Sequence, residues 1–158
     1  MKKLVLTGAA GRLGSYLREP LTKLCDELVS TDIVDDIGTL YDGESYAKGD
    51  LASLDDMMRV LEGADMVVHM GAYADEGPFE KLLGPNFVGA YNIWEAAYQN
   101  GLKRVVYGSS IHAVGIDLRS RIGGSRAHNE GDSIRCAAAG FVVPSLRDTP
   151  ARSRANAA

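Results

Sequence analysis

The sequence predicts an α/β domain built on a doubly wound parallel sheet with strand order 3-2-1-4-5. Strand and helix patterns alternate five times along the first two thirds of the chain, as in parallel sheets with right-handed crossovers. A glycine-rich turn, Gly8 to Gly14, directly follows the first strand. Asp32 ends the second strand about 20 residues further on, the spacing of a dinucleotide-binding βαβ unit.

The first strand and the turn after it predict a phosphate site. Leu4, Val5 and Leu6 form a short apolar run typical of a buried parallel strand. Three spaced glycines then let the backbone turn tightly and approach a ligand. The helix that follows carries leucines at helical spacing: Leu13, Leu17, Leu21 and Leu24. Its first N–H groups and its dipole favour an anion just past the glycines.

The remaining elements follow in chain order. A second strand, 28–32, leads through a polar connection to a short third strand, 45–50. A helix capped by Ser53 and ended by Gly63 precedes the fourth strand, 65–70, an apolar run expected to be covered on both faces. A loop with Gly77 and Pro78 is followed by a long helix that begins near Pro85 and ends at Asn100, and by a fifth strand, 104–107.

Five connections bring chemically useful residues to one edge of this sheet. In such a fold the ligand lies at the carboxyl ends of the strands, near the switch between strands 1 and 4. The turn 8–14, Asp32, Asp50, the pair Gly71-Ala72 and the pair Ser109-Ser110 all fall on that edge. Their convergence predicts a dinucleotide site.

Asp32 indicates which dinucleotide. A carboxylate at the end of the second strand accepts hydrogen bonds from both ribose hydroxyls of NAD and repels the 2′-phosphate of NADP. NAD is therefore the expected cofactor. The alternative is a solvated aspartate at a strand end without a ligand.

Composition excludes several other classes of function. At 158 residues and a net charge of −4, the chain is expected to form one domain without a nucleic-acid partner. No apolar run approaches the ~18 residues of a membrane span, and no signal peptide precedes the first strand, so we expect a cytoplasmic protein. Cys25 and Cys136 lack the spacing of a metal site, and no metal is expected.

Several motifs together resemble the extended short-chain dehydrogenase/reductase family, which includes nucleotide-sugar epimerases and dehydratases. They are 7–14 (TGAAGRLG), 49–51 (GDL), 69–72 (HMGA), 86–92 (NFVGAYN) and 108–110 (GSS). The resemblance covers residues 1 to about 115 and implies a Rossmann-like NAD-binding domain. It implies a cofactor-binding set of Gly8, Gly11, Arg12, Leu13, Gly14, Asp32, Asp50, Leu51, Met70, Gly71, Ala72 and Asn86. For full-length members the resemblance also implies homodimers, which we do not expect of this chain as it stands.

Within the family, segments 77–83 and 109–115 are most similar to the uronate dehydrogenase branch. That resemblance implies an NAD-dependent oxidoreductase acting on a sugar or a uronic acid. It implies that Ser110 is catalytic and binds the substrate oxygen, and that His112 lies near the substrate. Ala74 and Ile111 depart from the branch pattern, which usually has Ser and Asn at these implied substrate contacts. The substrate therefore stays open.

Other residues have two interpretations. Asp50 either borders the adenine or serves the loop before the Ser53 helix. Asn86 is expected to cap the helix or bridge to a neighbouring strand, and the resemblance implies that it also approaches the cofactor. His69 is expected in the core. The aromatic side chains of the long helix, Tyr91, Trp94 and Tyr98, are expected to pack, with a dimer seam as one possible place.

The pattern of the family breaks after residue 115. The catalytic Tyr-x-x-x-Lys pair that the family implies is absent, since none of the seven tyrosines has a lysine four residues later. Residues 1–115 carry 17 acidic and 10 basic residues, whereas 116–158 carry 4 and 7. We expect 116–158 to be an atypical, disordered tail.

Two hypotheses explain this break. The reading frame departs between Gly115 and Gly124, or a smaller binding domain has a natural tail. The alternatives to an active oxidoreductase are accordingly a non-catalytic NAD-binding module and a sugar epimerase or dehydratase lineage.

Overall fold

A computed structural model describes residues 1–109, which form a five-stranded parallel sheet with order β3-β2-β1-β4-β5. The strands are β1 (Lys3–Thr7), β2 (Glu27–Thr31), β3 (Glu44–Tyr46), β4 (Met66–His69) and β5 (Arg104–Tyr107). The helices are α1 (Arg12–Thr22), α2 (Leu54–Val60), α3 (Phe79–Leu82) and α4 (Gly89–Gln99), with a π-helical segment (Leu83–Val88) between the last two. The predicted fold class and strand order are confirmed. The predicted tail 116–158 lies outside the described residues.

Two apolar layers cover the two faces of the sheet. Successive strand residues point to opposite faces, so β1 sends Val5 to one layer and Leu4 and Leu6 to the other. The first layer packs the central valines against α2 and α4, with these buried members: Val5, Val29, Val67, Val105, Met57, Leu61, Ile93, Ala97 and Leu102. The second packs against α1 and contains Leu4, Leu6, Leu28, Val68 and Leu21. The sheet is therefore buried between helices, as a doubly wound fold requires.

The first helix begins where predicted, and its inward face holds the two middle leucines of the predicted set together with an arginine. Leu21 is buried, and Leu17 packs against the second layer. Leu13 is 65% exposed and Leu24, beyond the end of α1, is 61% exposed. Arg18 is buried beside Leu21. The leucine spacing therefore predicts the period of the helix and the centre of its inward face, but neither the exposed outer leucines nor the buried arginine.

The third strand is shorter than predicted, whereas the second helix begins and ends as predicted. β3 spans Glu44–Tyr46 rather than 45–50, and the chain then turns toward α2. Ser53 caps α2 as predicted, with its hydroxyl accepting a bond from the Asp56 amide at 3.2 Å. Gly63 lies beyond the helix with φ +70°, a conformation suited to glycine.

The helix after β4 starts earlier than expected. It begins at Phe79, and Pro85 lies inside the π-helical segment rather than in a first turn. A proline lacks the N–H that an α-helix would use, and a wider turn accommodates this loss. Continuous helical backbone therefore runs from Phe79 to Gln99.

The aromatic residues of this long helix do not all pack. Tyr91 and Tyr98 are 63% and 64% exposed, so they do not pack in the described core, and the dimer seam stays a prediction. Trp94 is half-buried against the core and stacks on the Tyr107 ring, with centroids 6.4 Å apart. Only this member of the predicted aromatic set joins the described core.

None of the helices in residues 1–109 combines the length and the apolar character needed to span a bilayer.

Candidate nucleotide-binding cleft

A cleft of about 570 Å³ lies at the carboxyl edge of the sheet. Its walls come from the ends of β1, β2 and β4 and from the connections that follow them. Eight of the twelve predicted cofactor residues line it: Gly8, Gly11, Asp32, Asp50, Leu51, Met70, Gly71 and Ala72. The fold thus collects, in one concave place, residues that are up to 64 positions apart in the chain.

Glycines are required where β1 meets β4. Gly8 has φ +72°, and a Cβ on it would lie 2.6 Å from the Gly71 Cα. A Cβ on Gly14 would lie 2.0 Å from the Gly8 carbonyl oxygen. The turn therefore fits between the end of β4 and the first turn of α1 only because these positions carry no side chain.

The start of α1 supplies donors at this turn. Its N-cap, Gly11, has extended backbone, and no side chain caps the helix. The first-turn N–H groups of Arg12, Leu13 and Gly14 have no intrahelical partner. Arg12 and Leu13 are exposed there, whereas Gly14 packs on the turn. This uncapped helix end beside the cleft suits a negatively charged group.

Asp32 follows the last residue of β2 and is held by two backbone donors. Its Oδ2 accepts a bond from the Ala10 amide at 2.9 Å, and its Oδ1 accepts one from the Ile33 amide at 2.8 Å. The carboxylate is therefore tied both to the glycine turn and to the segment after β2. Each carboxylate oxygen can accept a further bond from a ligand in the cleft.

A buried pair joins the ends of β1 and β4. The Thr7 hydroxyl lies 2.6 Å from Nδ1 of His69 and accepts a bond from the Gly71 amide at 3.2 Å. The direction of the bond between Thr7 and His69 is set by which ring nitrogen carries the proton. Burial lowers the pKa of His69 to about 4, so the ring is neutral at pH 7.

His69 thus lies in the core, as expected, and packs its ring against Tyr107 at 5.1 Å between centroids. Together with Thr7 it fixes the backbone at Gly71, the residue that faces Gly8. Neither residue was predicted from the sequence to have this positioning role. The signal was present only as a threonine and a histidine at the ends of neighbouring strands.

Two asparagines hold the other wall of the cleft. Asn86 brackets Tyr73, accepting from its amide at 2.7 Å and donating to its carbonyl at 3.1 Å. This is the bridging role, and Asn86 itself does not line the cleft. Asn92 donates to the Leu51 carbonyl at 2.8 Å. Asn92 stood within the 86–92 motif but was not singled out from the sequence.

Asp50 makes the loop contact that was one of its two interpretations, and its role beside the adenine stays a prediction. Its Oδ1 accepts a bond from the Ala52 amide at 2.8 Å, which is the loop role. It also lines the cleft beside Leu51.

The remaining predicted site residues stay untested. Ser110 and His112 lie outside the described residues. Within residues 1–109, no group of three or more histidine, cysteine, aspartate or glutamate side chains could hold a metal ion.

Comparison with known proteins finds relatives of this chain among the uronate dehydrogenases. The model of the 3-beta hydroxysteroid dehydrogenase/isomerase family matches residues 5–131. A uronate dehydrogenase of Pseudomonas syringae pv. tomato is 42% identical over 113 residues, which are 72% of this chain and 41% of that protein. The chain thus spans about two fifths of the length of the curated relatives it matches.

Solved structures of such dehydrogenases are also similar to this chain. A mutant uronate dehydrogenase from Agrobacterium tumefaciens, complexed with NAD, is 38% identical with a TM-score of 0.67, over 71% of this chain and 42% of that one. A glucuronic acid dehydrogenase from Chromohalobacter salexigens is 37% identical with a TM-score of 0.66, over 69% and 41% of the two chains. The similarity therefore extends from the sequence to the backbone of the sheet and its helices.

Proposed function

Because this chain belongs to the 3-beta hydroxysteroid dehydrogenase/isomerase family of extended short-chain dehydrogenases, we propose that its cleft binds NAD. The family predicted from the sequence is confirmed by this match. The observation that supports NAD most directly is Asp32 on the wall of a cleft whose floor is the glycine turn. A diphosphate at the turn and a ribose diol at the carboxylate use these two features together.

The described residues fit the cofactor in three ways. The glycine cradle leaves space that a Cβ would fill, and the uncapped start of α1 faces the same turn. The Asp32 carboxylate keeps acceptor capacity after its two backbone bonds. The buried Thr31 hydroxyl, which also lines the cleft, has no hydrogen-bond partner within residues 1–109.

The reaction we propose for the lineage is oxidation of a uronic acid or a related sugar at C1. NAD supplies the hydride acceptor when it is bound. The described residues bind and orient: Gly8 and Gly14 at the diphosphate turn, Asp32 at the ribose, and the Thr7–His69 pair behind the turn. Ser110 is proposed to donate a hydrogen bond to the substrate oxygen and His112 to lie near the substrate, as the uronate dehydrogenase resemblance implies.

A second candidate is a non-catalytic NAD-binding module. It is supported by the sequence, in which no tyrosine precedes a lysine by four positions. In the family this pair moves the proton and holds the nicotinamide ribose. We therefore propose that the 158-residue chain binds NAD without turning over substrate. A sugar epimerase or dehydratase lineage, which shares the same scaffold, is a third candidate.

Cofactor binding is tested by calorimetric titration of the chain with NAD and with NADP. We expect NAD to bind at least about tenfold more tightly. At an effective dielectric constant of about 20, a carboxylate about 5 Å from a phosphate charge costs about 3 kcal/mol. Asp32→Ala should therefore weaken NAD binding and narrow the preference. Asp42→Ala, an exposed aspartate away from the cleft, is the matched control and should change neither. Equal affinity of the unmodified protein for both nucleotides would contradict the proposal.

Turnover is tested separately by NADH absorbance with galacturonate or glucuronate. Binding of NAD without NADH formation supports the module. Steady NADH formation would show that this chain is an active oxidoreductase without the tyrosine–lysine pair.

A further inference from the structure

A buried arginine sits in the middle of α1, on the face that packs toward the sheet. Arg18 is 6% exposed. Its Nε and Nη2 donate to the two carboxylate oxygens of Glu44, at 2.7 and 3.0 Å. The Glu44 side chain is fully buried. Such a pair loses much of its attraction to desolvation, so stability alone is a weak reason to have it, and a role in fixing one conformation is the alternative.

The pair is attached to the segment 33–43, which joins β2 to β3. Arg18 donates from Nη1 to the Ile37 carbonyl and from Nη2 to the Thr39 carbonyl, both at 2.8 Å. Glu44 accepts a bond from the Tyr41 amide at 3.0 Å. The guanidinium also lies over the Tyr41 ring, 5.4 Å from its centroid. Three backbone groups of one segment are thus bound by a single ion pair.

This segment has limited apolar packing of its own. Ile37 packs against the second layer of the core, whereas the other larger apolar side chains are exposed: Ile33, Val34, Leu40 and Tyr41. Its other side-chain attachments within residues 1–109 are the Tyr46 hydroxyl at the Asp32 and Val34 carbonyls and an exposed Lys48–Asp35 ion pair. An exposed ion pair stabilises little. The Arg18–Glu44 pair is therefore the main buried anchor of the segment.

The start of the same segment forms a wall of the cleft. Ile33 and Val34 line it next to Asp32. A segment anchored at Ile37, Thr39 and Tyr41 leaves the backbone after Asp32 little freedom to move. The carboxylate is then held in one place relative to the glycine turn.

We propose that the Arg18–Glu44 pair is a positioning device that sets nucleotide specificity, by holding segment 33–43 so that Asp32 cannot move away from a ribose 2′-phosphate. This inference rests on the proposed function. Discrimination against NADP depends on a repulsive charge in a fixed position. A carboxylate that can retreat by a few Å repels less, because the Coulomb energy falls with distance.

The test compares NAD and NADP binding in the full chain before and after Arg18→Lys. Lysine keeps the buried charge but cannot form the two-pronged bond or reach both carbonyls. We expect the ratio of the NADP to the NAD dissociation constant to fall by about tenfold. If the pair served stability alone, Arg18→Lys would weaken the binding of both nucleotides equally and leave this ratio unchanged. Lys23→Gln, which breaks an exposed ion pair with Glu19 on the same helix, should leave the ratio unchanged.

Other outcomes overturn the proposal. If Arg18→Lys does not fold, the test uses Glu44→Gln, which keeps the side-chain volume and one acceptor oxygen. If the folded variant has the same ratio of NADP to NAD dissociation constants as the unmodified protein, the pair does not set specificity. Hydrogen exchange in the unmodified protein gives an independent check, since fast exchange of the Tyr41 amide would show that the anchor does not form. If the unmodified protein binds neither nucleotide, the proposed function fails and this inference fails with it. An NAD preference that Arg18→Lys leaves undiminished refutes the inference alone.

Discussion

Lowering the pH from 7 to 5 should destabilise the protein through His69. Burial lowers the pKa of this ring from 6.5 to about 4 in the folded state. Between these values the unfolded chain binds more protons than the folded one, so the free energy of unfolding decreases as the pH falls. The stabilisation is complete above about pH 6.5 and is lost below about pH 4. The full loss is about 3 kcal/mol, of which about 2 kcal/mol falls between pH 7 and pH 5.

The assay is urea unfolding at both pH values, for the unmodified protein and for His69→Asn. The asparagine amide can take the place of Nδ1 opposite the Thr7 hydroxyl, since it offers both an acceptor and donors, and it does not titrate. The variant should therefore lose about 2 kcal/mol less than the unmodified protein over this range. Hydrogen bonds from Lys103 and two backbone amides lower the pKa of Asp65, so its contribution is lost only at more acidic pH, in both proteins. An equal loss in the two proteins would refute the assignment of a neutral buried ring.

Three further predictions concern the turn, the cleft wall and the break in the pattern. Gly14→Ala should lower the free energy of thermal unfolding by about 3 kcal/mol, because its Cβ would lie 2.0 Å from the Gly8 carbonyl oxygen. The control Gly84→Ala, whose Cβ meets nothing nearer than 3.7 Å, should cost less than about 1 kcal/mol. Similar losses in the two variants would count against the close approach at Gly14. Asn92→Leu should cost about 2 kcal/mol, measured by chemical denaturation, because it leaves the Leu51 carbonyl without its partner; a neutral effect would mean that water replaces the amide. Translating the coding DNA after Gly115 in the other two frames should give a Tyr-x-x-x-Lys string, and its absence from both would favour the natural tail.

The sheet was predictable because its signals are local. Each strand is a short apolar run, and the alternation with helices fixes the parallel order. Helix faces and boundaries were harder. Leucine spacing could not show that Arg18 would be buried, because its partner Glu44 is 26 residues away. The proline rule placed a helix start near Pro85, where the chain instead widens its turn.

The cleft was predictable to a similar extent. The spacing within one βαβ unit predicts the glycine turn and Asp32. It does not predict the contacts that hold them, because the Thr7–His69 pair joins residues 62 positions apart. Asn86 had two interpretations from the sequence, and only its contacts with Tyr73 show the bridge. Local chemistry could thus be predicted, whereas the supporting contacts depend on the folded chain.

The π-helical segment constrains which insertions and deletions this fold can accept. Residues 83–88 contain one residue more than an α-helical path would need. Removing a single residue there would restore an α-helix and leave α3 and α4 in nearly the same orientation, because the wide turn itself absorbs the extra residue. The change would fall on residues 83–88, including Asn86 and its bonds to Tyr73, while Ile93 and Ala97 kept their places in the core. A one-residue difference in length between homologues at this point would therefore alter the mouth of the cleft and spare the scaffold.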